Sequence, residues 1–170
     1  LPKSPQINGR LEDKEWNKAR VFRGEFLLNN TTKSVAKTSL WAVGYDAHAI
    51  YFSAHFNDPK PDFKLPIYEY DCLEIFIQPD ESIKSYWEII GSPERHFCAY
   101  HRVGDNGMRI STTELVPVGL KIASTIENYG FSVEIRVPFH ILMNQAGYFP
   151  TNKSSLRFMM VRINRQNGIG

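Results

Sequence analysis

The sequence has few of the features that would assign it to several large classes of protein. Only two of its 170 residues are cysteine, and no apolar stretch approaches the ~18 residues that cross a membrane as a helix. The formal net charge is +2 and there is no basic run, which argues against nucleic acid or an anionic membrane as a partner. No internal repeat is present. From Leu1 onward there is no signal-peptide pattern, so we expect any signal peptide to have been removed or never present.

The two cysteines, Cys72 and Cys98, are too few for a zinc site of their own and have no C-x-x-C spacing. We interpret them as two small buried hydrophobic residues. A disulfide between them stays open in case their strands are neighbours. Cysteine usage therefore leaves the cellular compartment undecided.

Aromatic residues are plentiful, at 13% of the chain, and the hydrophobic pattern has a period of two. The length predicts one domain over residues 1–170. Alternation predicts strands over residues 38–43, 49–57, 72–78, 86–92, 97–102, 120–126, 131–137 and 155–163. Turn signals separate the strands and helices do not alternate with them. This pattern predicts an all-β fold, an antiparallel β-sandwich of two sheets, jelly-roll or immunoglobulin-like, with one or two short helices.

Two short helical pieces are predicted. Asp13 is a suitable N-cap for a helix that reaches about Arg20, and Trp16 on it is expected to plug the core and hold the helix to a sheet. Pro138 begins a second helical turn, through about Met143. The Asn8-Gly9 pair predicts a turn in which glycine supplies a positive φ.

The most informative stretch runs from Tyr68 to Ile77, where Glu74 follows Tyr68 by six residues at the mouth of a predicted strand. An aromatic ring can stack on the apolar C–H face of a sugar, and a nearby carboxylate can accept bonds from its hydroxyls. A wider polar patch is expected if four successive strands are neighbours in one sheet. Its members would be Tyr51, Ser53, His55, Glu74, Glu88, Tyr100 and Arg102. The alternative is a solvated sheet face with cross-strand ion pairs.

Catalytic chemistry has weaker support. Glu74, Glu88 and Glu134 contain enough carboxylates for glycoside hydrolysis, but strand spacing cannot establish the separation of about 5–9 Å that this reaction needs. Glu134 is expected to pair with Arg157 or Arg136 instead. The five histidines are dispersed and no G-x-S-x-G motif is present, so no nucleophile–histidine arrangement is predicted.

Metal binding remains an open prediction. Five aspartates lie at predicted strand ends or turns, where oxygen-rich loops can bind calcium. They are Asp46, Asp58, Asp71, Asp80 and Asp105. Haem would need two axial ligands; Met143, Met159 and Met160 exist, but no partner ligand is evident.

Five segments in the same order resemble family 9 carbohydrate-binding modules and their DOMON-like relatives. Residues 7–16 resemble the opening I-D-G-x-L-D-D-x-x-W, residues 45–52 resemble Y-D-D-x-x-L-Y-V, and residues 71–77 resemble D-x-V-E-I-F-I. Residues 131–139 resemble W-x-V-E-I-x-I-P-F, and residues 158–164 resemble F-N-F-x-R-x-N. The resemblance runs from about Ile7 to Asn164.

The resemblance implies a β-sandwich, often with structural calcium, that grips the end of a sugar chain between two aromatic side chains. The first aromatic and its glutamate correspond to Tyr68 and Glu74, with tyrosine in place of the usual tryptophan. A family arginine would fall near Ile90 and is absent. The second aromatic normally follows the R-x-N strand, but the chain stops at Gly170 without it, and the closing strand is expected to be missing too.

The function predicted from the sequence is non-catalytic binding of an oligosaccharide or polysaccharide, in a secreted, periplasmic or cell-surface protein that processes glycans. Tyr68 stacks, Glu74 accepts bonds from hydroxyls, and Tyr70, Tyr100 and Arg102 contribute at the rim. Trp87 is a further rim candidate, although its alternation with Ile89 points it toward the core. The alternative is a sandwich that mediates protein interactions and has lost the sugar site. The oligomeric state and any attached hydrolase stay open.

Overall fold

The structure is a computed structural model. It describes residues 1, 3–12, 14–17, 39–58, 60–79, 85–105, 108–114, 116–142 and 155–164, and of residues 104, 105 and 108–114 the backbone alone. The predicted N-cap Asp13, the predicted helix end near Arg20, and Met143 lie outside these residues.

Nine β-strands and three short 3₁₀ turns make up the regular structure of the described residues. The strands are β1 (Leu40–Tyr45), β2 (Ala49–Phe56), β3 (Cys72–Gln78), β4 (Ser85–Gly91), β5 (Phe97–Asp105), β6 (Met108–Glu114), β7 (Lys121–Glu127), β8 (Gly130–Pro138) and β9 (Arg157–Ile163). The 3₁₀ turns are Lys14–Asn17, Ile67–Glu69 and Phe139–Leu142. The last of these confirms the helical turn predicted after Pro138.

The strands form two antiparallel sheets. The four-stranded sheet has the order β1-β2-β8-β7 and the five-stranded sheet has the order β6-β5-β4-β3-β9. Every strand pair is antiparallel. The predicted all-β sandwich with few helices is therefore confirmed.

The core lies between the two sheets, because alternate residues of each strand point to opposite faces. Leu73, Ile75 and Ile77 are fully buried and belong to one cluster with residues such as Phe52 and Ile135 of the other sheet. Each sheet therefore has an inner face toward this core and an outer face away from it. Glu74 and the other alternating residues of β3 fall on the outer face.

The N-terminal segment covers the outer face of the four-stranded sheet. Trp16 is buried against Ala42, Ala49 and Tyr51, which confirms that it holds its helical turn to a sheet. Gly9 adopts the predicted positive φ, +82°, and an added Cβ would meet the backbone of Ser124 at 2.5 Å. This segment and the sheet therefore approach too closely for a larger residue at position 9.

Glu134 fastens the same segment. Its fully buried carboxylate accepts hydrogen bonds from the backbone N–H groups of Asn8 and Gly9, at 2.9 and 2.8 Å, and from the Trp16 indole at 2.8 Å. The predicted pairing with Arg157 is wrong, because β9 lies in the five-stranded sheet. The N-terminal donors satisfy a charge that would otherwise be costly to bury.

Candidate functional site

The segment that carries Tyr68 is a closed loop between β2 and β3. We call residues 60–71 the aromatic loop. Its two ends are joined where the Asp71 N–H donates to the Asp62 carbonyl (2.8 Å) and the Asp62 N–H donates to Asp71 Oδ2 (2.7 Å). Asp71 is fully buried at this neck. The paired bonds fix the chain on both sides of the 3₁₀ turn.

Ile67 attaches the aromatic loop to the outer face of the five-stranded sheet. It is buried in a small cluster with Cys72, Ile90 and Cys98 on three adjacent strands. The neighbouring Tyr68 is 46% exposed. Ile67 thus holds the turn down on the sheet while the following ring stays accessible.

The cysteine interpretation is confirmed by the same cluster. Cys72 of β3 and Cys98 of β5 are both buried and form no disulfide. Strand β4 lies between their strands, so they are not neighbours in the sheet. They fill space beneath the aromatic loop.

Strand register sets the order of side chains on this outer face. Glu74 lies between Ile90 of β4 and Val161 of β9. One step along the strands, Phe76 and Tyr100 flank Glu88. A further step brings Tyr86 opposite Arg102.

The register therefore brings three predicted site residues together on the face to which the aromatic loop is attached. These three are Glu74, Tyr100 and Arg102.

Arg102 is held by charge and by a ring. Its guanidinium forms a buried ion pair with Glu88 and lies 4.7 Å from the Tyr100 ring centroid. The hydrogen bond that Arg102 donates to the Glu88 carboxylate raises the pKa of Arg102, against the opposing effect of burial. Arg102 is thus a cation held in a fixed position on the outer face, between Glu88 and the Tyr100 ring.

The charge of Glu74 is stabilised less than that of Glu88, because no ion pair is formed with it in the described residues. Burial first, and then the charge of Glu88, raise the pKa of its carboxyl from 4.5 to about 7, with Arg102 opposing them. The guanidinium of Arg102 is the cation near both Glu74 and Glu88, but it forms its ion pair with Glu88. Glu74 can therefore present either an acceptor carboxylate or a donor carboxylic acid near neutral pH.

The other predicted rim residues differ in their positions. Tyr70 follows the 3₁₀ turn, is partly buried, and has the Lys64 ammonium 5.5 Å from its ring centroid. Trp87 is buried in the core, where its indole donates to the carbonyl of Ile141 at 2.9 Å. The prediction that Trp87 lies at the rim of the sugar site is therefore wrong. Its alternation with Ile89 had correctly indicated that it points into the core.

The wider patch predicted from four strands is split between two sheets. Tyr51, Ser53 and His55 belong to β2 in the four-stranded sheet, whereas Glu74 lies on β3 in the five-stranded sheet. Tyr51 is covered by the N-terminal segment and donates to Asp46 at 2.6 Å. The prediction that they share one face with Glu74 is wrong, since β2 and β3 are consecutive in sequence but not paired.

Phe76 and Tyr86 are outer-face residues that were not among the predicted site residues. Their ring centroids are 6.1 Å apart, and both rings are partly buried. The sequence pattern does place them on this face, because Phe76 alternates with Glu74 on β3 and Tyr86 alternates with Glu88 on β4. Glu134, the third predicted acid, is enclosed on the opposite outer face.

The aspartates proposed as calcium ligands have other partners. Asp46 accepts four bonds, from Ser4, Tyr51 and the N–H groups of His48 and Ala49. Partial burial opposes the ionised form, but these bonds together lower the pKa of Asp46 to about 2.

Asp58 pairs with Arg162, and Asp71 closes the loop neck. Within the part of the chain that is described, no group of three or more His, Cys, Asp or Glu residues is arranged to hold a metal ion. Asp46, Asp58 and Asp71 are each held by hydrogen bonds or an ion pair within the protein. Asp80 and the side chain of Asp105 lie outside the description, so calcium stays a prediction.

Two antiparallel sheets, with rings and a buried ion pair on the outer face of one of them, define a β-sandwich domain. Residues 7–169 match the model of the family described as "Carbohydrate family 9 binding domain-like", and the chain belongs to this family. The family is one of non-catalytic carbohydrate-binding modules. Among curated proteins, none is similar enough to this chain to count as a match. No helix in the described ranges is long and apolar enough to cross a membrane.

Solved structures with the same fold include two of a family 9 carbohydrate-binding module from Caldicellulosiruptor kristjanssonii. The complex with cellotriose has a TM-score of 0.69 at 17% identity, over 98% of this chain and 76% of that chain. The complex with glucose has a TM-score of 0.62 at 16% identity, over 98% and 78%. A putative carbohydrate-binding protein from Bacteroides uniformis has a TM-score of 0.58 at 10% identity, over 88% and 73%.

Proposed function

We propose that this protein binds the end of an oligosaccharide or polysaccharide chain on the outer face of the five-stranded sheet, without acting on it. Tyr68 stacks on the C–H face of a sugar ring, and Glu74 hydrogen-bonds its hydroxyls. Tyr70, Tyr100 and Arg102 complete the rim. The solved relatives that carry cellotriose and glucose support β-glucan fragments as first probes.

The main support for this proposal is the attachment of the aromatic loop to the outer face of the five-stranded sheet. Ile67 anchors the loop on the face to which Glu74 belongs, while Tyr68 remains 46% exposed. A ring held by a fixed backbone loses little conformational entropy when a ligand binds, which favours affinity. The paired charges of Glu88 and Arg102 lie farther along the same face and add directional hydrogen-bonding groups to it.

The test is calorimetric titration with glucose, cello-oligosaccharides and a panel of other glycans. We expect saturable binding to at least one glycan and a loss of about tenfold in affinity in Tyr68→Ala, from the lost ring contact. Tyr129→Ala is the matched control, because Tyr129 is 77% exposed at the β7–β8 turn of the other sheet. No saturable binding to any glycan would refute the proposal. Retention of a protein from native extract in that case would support the interaction-domain alternative.

We also propose that the protein works outside the cytoplasm, secreted, periplasmic or on the cell surface, as part of a protein that processes glycans. Membership of a family of carbohydrate-binding modules supports this location, since polysaccharides are encountered there. Cell fractionation with an antibody against the native protein tests it. Recovery in the cytoplasm alone would contradict it.

A further inference from the structure

The outer face of the five-stranded sheet continues beyond Glu74, away from the aromatic loop. Phe76 follows Glu74 on the same face of β3, next to Met159, which is 55% exposed. Tyr86 lies beyond Glu88 on β4, and its ring is tilted by 49° against that of Phe76. These three side chains form an apolar surface that adjoins the proposed sugar site.

Charged and polar groups alternate with these rings. Glu88 is the β4 neighbour of Phe76, and Arg102 is the β5 neighbour of Tyr86. Gln78 and Arg157 are paired on the next positions of the same face. The centre of a protein–protein contact is usually depleted of charge. Rings mixed with hydrogen-bonding groups suit a sugar, which has apolar C–H faces and a hydroxyl rim.

We propose that Phe76 and Tyr86 form a second sugar subsite, which holds the units that follow the terminal one in the same oligosaccharide. This inference rests on the proposed function, in which Tyr68 and Glu74 hold the chain end. It makes the ligand an oligosaccharide of two or more units. The chain lies along β3 and β4 rather than projecting from the surface.

Strand geometry supports the spacing of the two subsites. Successive outer-face residues of one strand are about 6.6 Å apart, which is comparable with the length of one sugar unit. From Glu74, one step along β3 reaches Phe76, which lies opposite Glu88 of β4. One further step, along β4, reaches Tyr86, so the two rings lie one and two steps beyond Glu74. A sugar chain that starts at Tyr68 and crosses Glu74 therefore meets these rings with its next units.

The test measures affinity against chain length, with glucose, cellobiose, cellotriose and cellotetraose, or the matching series of whichever glycan the panel identifies. In the wild type we expect affinity to rise with length. Tyr86→Ala should lower the affinity for the trisaccharide about fivefold and leave that for the monosaccharide unchanged. Phe76→Leu, which keeps an apolar side chain in the strand but removes the ring, should act in the same direction.

Tyr129→Ala again serves as the control, and thermal unfolding shows that each variant is folded. Equal affinity for the monosaccharide and the trisaccharide in the wild type would overturn the subsite. So would trisaccharide binding that neither variant weakens. In both cases a loss of binding in Tyr68→Ala would leave the proposed function standing, whereas absence of all glycan binding ends both.

Discussion

Glu74 is the carboxylate of β3, and its surroundings favour its neutral form. Burial and the charge of Glu88 raise its pKa to about 7, above its ordinary 4.5. The folded protein therefore binds more protons than the unfolded chain between these values. The contribution of Glu74 to the free energy of unfolding is fully present below about pH 4.5 and is lost as the pH rises through about 7.

We predict that Glu74→Gln removes this part of the pH dependence of stability. Thermal unfolding between about pH 5 and pH 8 should show a wild-type melting temperature that falls relative to that of the variant as the pH rises. Burial lowers the pKa of His101. This shift makes the protein more stable as the pH rises, which is opposite to the effect of Glu74. His101 is present in both proteins, so the difference between them isolates Glu74. Parallel curves would contradict the prediction.

At the scale of elements, the neck of the aromatic loop determines where Tyr68 lies. The Asp71 carboxylate accepts from the backbone of Asp62, and the Asp71 N–H bonds the Asp62 carbonyl. Nothing in the sequence distinguished this role, and Asp71 was predicted only as a calcium ligand. A short polar residue before a strand suits either purpose, because both use the same carboxylate oxygens.

Asp71→Ala should open this neck and leave the partly buried N–H of Asp62 without its acceptor, at a cost of about 1–2 kcal/mol in the free energy of unfolding. Hydrogen exchange should become faster at Asp62 and through the Ile67–Glu69 turn. Asp62→Ala is the matched control, since only the backbone of Asp62 forms the neck while its side chain approaches Lys64 at 3.9 Å. Equal losses in the two variants would show that the neck does not hold the loop.

At the scale of the whole molecule, Arg162 ties the two sheets together. From β9 its guanidinium pairs with buried Asp58 and lies 4.9 Å from the ring centroid of Phe56 and 5.7 Å from that of Phe131. These rings belong to β2 and β8 of the other sheet. Asp58 comes just before the aromatic loop, so the same contact fixes the beginning of that loop.

Arg162→Met is expected to destabilise the protein by about 3–5 kcal/mol, because it leaves the buried charge of Asp58 without its cationic partner. Denaturant unfolding measures the loss. Addition of Asp58→Asn to this variant should recover part of it, since the uncompensated charge is then absent. Arg157→Met, at an exposed position of the same strand, should change stability by no more than about 0.5 kcal/mol. A similar loss in both single variants would contradict a specific role for Arg162.

The sequence predicted which residues form strands, and which face each residue lies on, better than it predicted which strands pair with one another. Alternation in β2, β3 and β8 identified the inward residues correctly, because one buried face imposes a period of two. It could not show that β2 and β3 belong to different sheets, since periodicity says nothing about pairing. Strand β6 was missed because Met108–Glu114 is mostly polar, as suits an edge strand that pairs with β5. The binding roles of Tyr68 and Glu74 stay predictions.

The two outer faces of the sandwich differ, because the N-terminal segment covers the outer face of the four-stranded sheet. Glu134, Trp16 and Gly9 secure that segment over one broad surface, while the aromatic loop borders the opposite one. A tag fused ahead of residue 1 would therefore emerge on the side opposite the proposed sugar site. Immobilisation through that end is expected to leave the outer face of the five-stranded sheet accessible, which suits the orientation-controlled binding assays that the proposed function calls for.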